Sequence, residues 1–327
     1  MPKLISVIVP FYNTGKKIER CITSLLNQSY PKSQYEVIFV DDGSTDDSAE
    51  IVSKFKRVKL VRQKHRGPAV ARNLGVKNSK GQIILFTDAD CIPDKKWIKN
   101  MVEPFKDEEV IGVSGTYRTF NKDSLVARFA GYEIEERHKK LEKQEQIDFI
   151  GTFSAAFRKN IFLKSKGFDE SFPTASGEDP ELSFRLEKFG KMVFQPKAFV
   201  HHFHPNTLRK FLKQKFWRGY WRVSLYRKHS HKLFKHSYTP KSLFIEEFLI
   251  GITSLLILLS FFGAVPYFYP LAFFAVVLLL TLPFSISVFF KDKPVGLLSP
   301  FIIILRNFIT ALGIVFGVIS LLFKKTK

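Results

Sequence analysis

The chain has 327 residues, with 51 Lys and Arg against 30 Asp and Glu for a formal charge of +21, and 45% of its residues are hydrophobic. That is too long for a peptide module and too apolar for a disordered segment. From Phe248 to Phe290 there is no Asp, Glu, Lys, Arg or His at all, which excludes a wholly soluble protein.

The opening segment, Met1 to Asn13, has one charge and then a short apolar stretch. It lacks the length and the small-residue cleavage site of a signal peptide and reads as a first buried strand. From there to about residue 205, short β-branched runs alternate with helical patterns, which predicts an α/β fold around a mostly parallel sheet. The expected strands are Ile5–Val9, Val37–Val40, Val58–Val61, Gln82–Phe86 and Val110–Thr116. Between them, Gly15–Asn27, Asp46–Phe55 and Pro68–Asn78 carry apolar residues at helical spacing. The two cysteines, Cys21 and Cys91, are far apart in sequence. They suggest neither a disulfide framework nor a Cys-based zinc site, and fit a reducing, cytosol-facing domain.

Past residue 205 the positive charge concentrates: Asn206 to Ser242 holds eleven Lys and Arg and no carboxylate. Phe211, Phe216, Trp217, Tyr220, Trp221 and Tyr226 are interleaved with those cations. The stretch precedes a hydrophobic tail, so a membrane interface with bound lipids explains it more simply than nucleic acid does. The uncharged run that follows would be about 64 Å long as a single helix, against about 30 Å of hydrocarbon, so it must be two spans. They are expected near 243–265 and 271–290, with the break at Gly263 to Pro270. Basic residues on both flanks put those flanks and the N-terminal domain on the cytoplasmic side. A third apolar segment, Leu297–Phe323, contains Arg306 and Asn307 and reads equally as a span or as an in-plane helix. The expected organisation is a catalytic domain over 1–205, an interface segment over 206–242 and a membrane domain over 243–327.

The chemistry concentrates where strands end, which is where open α/β sheets bind ligands. Neither common phosphate-loop fingerprint occurs. Val37–Val40 runs instead into Asp41-Asp-Gly-Ser-Thr-Asp-Asp47, and Gln82–Phe86 into Thr87-Asp-Ala-Asp-Cys91. Asp88 and Asp90 offer two hard oxygen ligands to Mg²⁺ or Mn²⁺; the alternative is a turn that caps the next helix. Asp179, followed by Pro180 and then Leu182 and Leu186, reads as a helix N-cap with Pro at the first helical position. His201, His202 and His204 follow an apparent strand over 192–200; alternation would point His201 away from His202.

Taken together and in order, five segments resemble the family-2 inverting glycosyltransferases with a GT-A fold, over about residues 4–220. They are Ser6-Val-Ile-Val-Pro-Phe-Tyr-Asn13, Asp41-Asp-Gly-Ser-Thr-Asp46, Gly67-Pro-Ala-Val-Ala-Arg-Asn-Leu-Gly75, Asp88-Ala-Asp90, and Gly177-Glu-Asp-Pro-Glu-Leu-Ser-Phe-Arg-Leu186. The resemblance implies a Rossmann-like domain with helices on both faces of the sheet. It implies that Pro10 and Asp42 lie against the nucleotide base, usually uracil, that Asp88 lies near the ribose, and that Asp90 holds the metal on the diphosphate. Arg66 and Arg72 would add positive charge there, or else are surface arginines. Glu178 and Asp179 match the acceptor-side pair in which the aspartate is the catalytic base, and one histidine, by spacing His202, would approach the metal.

The sequence departs from the family's processive synthases. Where those carry Gln-x-x-Arg-Trp, it reads Gln214-Lys-Phe-Trp-Arg218, and two or three spans are few for a polysaccharide channel. The segment Gly151 to Arg158 resembles the acceptor-side strand without its frequent Asn. The expected activity is therefore transfer of a single sugar from a nucleotide diphosphate sugar, a UDP-sugar first, to a lipid-linked or membrane glycan acceptor. Two alternatives remain: a polyprenyl-phosphate sugar synthase, and a non-catalytic membrane protein that binds nucleotide or RNA.

Overall fold

A computed structural model describes residues 4–174, 176–233, 235–236 and 241–323. The chain divides into two units, Met1–Phe120 with Ile134–Phe203, and Asn121–Glu133 with His204–Lys327.

The first unit is built on β1 (Ile5–Phe11), α1 (Lys17–Leu26), β2 (Tyr35–Asp41), α2 (Ser48–Ser53), β3 (Val58–Arg62), α3 (Pro68–Lys77), β4 (Ile83–Thr87), β5 (Cys91–Pro93), α4 (Trp97–Val102) and β6 (Val110–Thr119). After α5 (Leu125–Leu141) come β7 (Ser154–Arg158), α6 (Lys159–Lys164), α7 (Glu178–Leu186) and β8 (Lys191–His202). The strands form one eight-stranded sheet in the order β3-β2-β1-β4-β7-β6-β8-β5. Strands β1 to β4 pair in parallel, but β7 is antiparallel to both β4 and β6, and β5 is antiparallel to β8. The sheet is therefore mixed, with parallel pairing the more extensive, as the sequence predicts. Strand β7 reads Ser-Ala-Ala-Phe-Arg and lacks the β-branched run that marks its neighbours.

Alternation along each parallel strand feeds two cores. Ile5, Val7, Val9, Val37, Phe39 and Leu85 face one side with Ile18, Ile22 and Trp97, whereas Ile8, Ile38, Val40, Ile84 and Phe86 face the other with Ala71, Phe162 and Leu182. Each fully buried Val, Ile, Leu or Phe among them contributes about 1.5–3 kcal/mol. With both faces covered, the parallel strands read as nearly continuous apolar runs. Their carboxyl ends are left as the open rim.

The second unit comprises residues 121–133, which the sequence assigns to the catalytic stretch, and α8 (Leu208–Lys228), α9 (Lys241–Phe261), α10 (Phe268–Phe289) and α11 (Lys293–Phe323). The last three are long and apolar enough to cross a membrane. They expose Phe248, Leu258, Leu271, Leu279, Phe301 and Phe316 as a bilayer would require. Helix α8 meets α11 through small residues: a Cβ on Gly219 would lie 2.2 Å from the Thr310 carbonyl oxygen, and one on Gly313 would lie 2.1 Å from that of Phe216.

The third apolar segment is one continuous helix, and its arginine does not stand alone. Arg306 pairs with Glu133 and, at 3.0 Å, with Glu246, whose carboxylate also accepts from Asn307 Nδ2 at 2.7 Å. Lys215 completes the set at 3.0 Å from Glu133, and Arg222 pairs with Glu247 at 2.8 Å.

Candidate active site

The open rim of the parallel strands gathers the acidic loops. Pro10 is buried near the end of β1, opposite Val40 of β2. Just beyond β1, Tyr12 stacks on His65 with ring centroids 4.1 Å apart. Asp42 follows β2 and is only 3% exposed. Its carboxylate accepts from Gln63 Nε2 at 2.6 Å and from the backbone N–H groups of Arg66 and Gly67, both at 2.9 Å, and lies 3.0 Å from His65 Nδ1. Asp42 therefore shapes the loop 63–67. The Arg66 side chain is largely exposed and reaches Glu170 at 3.3 Å.

Beyond β4, Asp88, Asp90, Cys91 and His202 bring one ligand atom each to within 4.8 Å of one another. The antiparallel pairing of β5 with β8 sets Cys91 opposite His202, and His202 Nε2 lies 3.6 Å from Asp90 Oδ1. Burial raises the Asp90 carboxyl pKa; His202 offsets part of that and the Asp88 charge adds to it. Two close carboxylates and an imidazole are a hard-oxygen and nitrogen set that suits Mg²⁺ or Mn²⁺. Cys91 is a member of the cluster that sequence reasoning missed, although it is adjacent to Asp90. Burial, with the Asp90 and Asp88 charges beside it, pushes its thiol well above the ordinary value.

The third group comes from α7. Gly177 precedes it with φ of +114°, and a Cβ there would lie 2.8 Å from the Phe172 ring, so only glycine suits the turn. This glycine, not Asp179, occupies the N-cap, and the capping role read from sequence is corrected accordingly. Asp179 turns instead to Thr152: its Oδ2 accepts from the Thr152 N–H at 3.1 Å and from the Thr152 hydroxyl at 3.2 Å. Its Oδ1 is buried and has no hydrogen-bond partner among the described residues. Burial raises the Asp179 pKa, against Arg72 and Thr152, which lower it. Thr152 is a contributor that sequence reasoning missed, since only folding brings it to α7.

Glu178 is 2% exposed. Its carboxylate accepts from Arg72 Nη1 at 2.9 Å, while Arg72 Nη2 donates to Asp88 Oδ1 at 3.1 Å. Burial and the neighbouring Asp179 push Glu178 up to about 7 despite Arg72. The structure thus brings together Asp88, Asp90 and His202, and links them through Arg72 to Glu178 and Asp179. It keeps Pro10 and Asp42 on the β1–β2 side and leaves the Arg66 side chain outside the cluster.

Residues 6–165 match the family model described as glycosyl transferase family 2. The chain carries a family 2 glycosyltransferase domain. That match contains the Asp42, Arg72, Asp88 and Asp90 positions; Glu178, Asp179 and His202 lie beyond it. Among similar proteins, glycosyltransferase AglE of Haloferax volcanii is 30% identical over 175 residues, which is 52% of this chain and 55% of AglE. The chain therefore spans about half the length of that relative. A Methanococcus voltae protein named dolichyl N-acetyl-alpha-D-glucosaminyl phosphate 3-beta-D-2,3-diacetamido-2,3-dideoxy-beta-D-glucuronosyltransferase is 26% identical over 226 residues, 64% of this chain and 70% of that one. Among solved structures, the mannosyltransferase PcManGT of Pyrobaculum calidifontis, in complex with GDP-Man and Mn²⁺, superposes with a TM-score of 0.63 at 20% identity, covering 100% of this chain and 89% of that chain. The family 2 domain accordingly has the GT-A fold.

Proposed function

We propose that the chain is a divalent-metal-dependent, inverting glycosyltransferase that moves one sugar from a nucleoside diphosphate sugar to a lipid-linked acceptor at the cytoplasmic face of a membrane. The observation that carries this reading is the Asp179 carboxylate, with one oxygen fixed by Thr152 and the other buried without a partner among the described residues. A base so oriented is ready to take a proton.

In this reading Asp179 Oδ1 removes the proton from the acceptor hydroxyl. That oxygen attacks the anomeric carbon from the face opposite the diphosphate, the bond from the anomeric carbon to the diphosphate oxygen breaks, and the nucleoside diphosphate leaves with the bonding electrons. Asp88, Asp90 and His202 would hold Mg²⁺ or Mn²⁺, which when bound supplies positive charge to the leaving diphosphate. Asp42 acts on the base through the loop it holds, with Pro10 and the Tyr12–His65 pair beside it. The family resemblance favours a UDP-sugar; the GDP-Man in PcManGT makes guanine the competing base. Covalent attachment to three apolar helices, with the basic α8 between, favours an acceptor in the membrane, and the dolichyl phosphate in the Methanococcus voltae protein's name agrees with that choice. The deciding experiment is the anomeric configuration of the product by nuclear magnetic resonance: inversion is expected, and retention overturns the single-base mechanism.

A further inference from the structure

Helix α3 is tied to both halves of the site. At its start, Asp42 accepts from the N–H groups of Arg66 and Gly67. One turn on, Asn73 clasps the segment that leads to α7: its Nδ2 donates to the Phe168 carbonyl and its Oδ1 accepts from the Phe168 N–H, each at 2.9 Å. Between these clasps lies Arg72, 2% exposed. One arm of its guanidinium reaches Glu178 at 2.9 Å and the other reaches Asp88 at 3.1 Å, with the Phe168 ring centroid 5.5 Å from the guanidinium carbon. The Nε of Arg72 is buried and has no hydrogen-bond partner among the described residues. A residue that only filled this space would avoid leaving a buried donor unpaired. The planar fork, fixed at two carboxylates from different elements, is what a lysine at this position would not reproduce.

We propose that Arg72 is a positioning residue for transfer, its guanidinium fastening the first turn of α7, and so the Asp179 base, to the donor-side carboxylate Asp88. This rests on the reading of Asp179 as the base. Without its fork, Glu178 is released and the next residue loses its fixed orientation toward the acceptor hydroxyl. Misplacement of a reacting group by about 1 Å costs on the order of 100-fold in rate. Arg72 is also the cation that holds the Asp179 carboxyl down against burial, so its removal moves the pH at which the base ionises upward.

The test uses the full chain in detergent with Mn²⁺, membranes of the expression host as acceptor source, and UDP-glucose, UDP-N-acetylglucosamine and GDP-mannose as donors, and follows release of nucleoside diphosphate. Arg72→Gln is expected to lower kcat about 100-fold, with the larger part of the loss in kcat rather than in the donor KM, and to raise the acid limb of the kcat/KM profile. Arg72→Lys is expected to bring the limb back while kcat stays depressed. An unmoved limb, with a loss that tracks only the folded fraction by circular dichroism, overturns the positioning role. Full kcat in Arg72→Gln overturns it too. Asp179→Asn run in parallel separates the two claims, because full activity there overturns the base assignment whatever Arg72 does. Release from none of the three donors by the unsubstituted chain overturns the transferase reading and this role with it.

Discussion

Both units bury charge, and they balance it in opposite ways. In the unit of α8 to α11, Glu133 and Glu246 meet Lys215 and Arg306, and Glu247 meets Arg222, so three carboxylates face three cations. Burial alone would raise the Glu133 carboxyl, yet Lys215 and Arg306 hold it down to about 2. In the sheet unit, the ion pairs of Asp88, Asp90, Glu178 and Asp179 among the described residues are with Arg72 and His202, and Lys17 adds a weaker positive charge near Asp90. There burial wins, and Asp90, Glu178 and Asp179 are all raised. A matched set fastens helices together. In the proposed function, the unmatched one holds negative charge for a metal ion and a proton.

The sharpest way to break this contrast is Asp179→Asn, which keeps the size and removes the base. Transfer should fall about 10²- to 10⁴-fold, while metal-dependent nucleotide binding persists; equal loss of both would make the residue structural. On the matched side, Arg222→Met alone leaves Glu247 buried and unpaired, and should destabilise by about 3–5 kcal/mol in a denaturant titration. Adding Glu247→Leu should recover most of that. If the double variant is no better than the single one, the pair is more than a fastening.

A smaller effect concerns pH. Glu178 is pushed from 4.5 to about 7 in the folded chain, so between those values the folded state holds a proton that the unfolded state has released. Stability from this group is therefore full below about pH 4.5 and declines as pH rises through about 7. Thermal unfolding midpoints across that window should fall less steeply in Glu178→Gln than in the unsubstituted chain. Parallel slopes would contradict the raised value.

The legible parts of the molecule were those with local signatures. Short β-branched runs marked β1 to β4, and acidic pairs at the ends of β2 and β4 marked the rim, because both signals are written in adjacent residues. Strand β7 escaped, since Ser154-Ala-Ala-Phe-Arg158 looks like no strand until β4 and β6 flank it. The grouping of residues 121–133 with α8 to α11 escaped for a similar reason: Glu133 shows its role only beside Lys215 and Arg306. At the site, Asp88, Asp90 and His202 were foreseen and do converge in space. Thr152 and Asn73 were not, because each acts on a partner far away in sequence, and Cys91, though adjacent to Asp90, meets His202 only through the pairing of β5 with β8. The helix cap assigned to Asp179 failed on one neighbour, since Gly177 takes that position in a left-handed conformation.

The central claim is that the unmatched carboxylates form a metal-dependent nucleotide site. The most direct test is calorimetric titration of the purified full chain with UDP and GDP, each with and without Mn²⁺, and again in Asp90→Ala. The account predicts that one nucleotide binds only with Mn²⁺ and that this binding is lost in the variant. Binding that ignores both Mn²⁺ and Asp90 would contradict it.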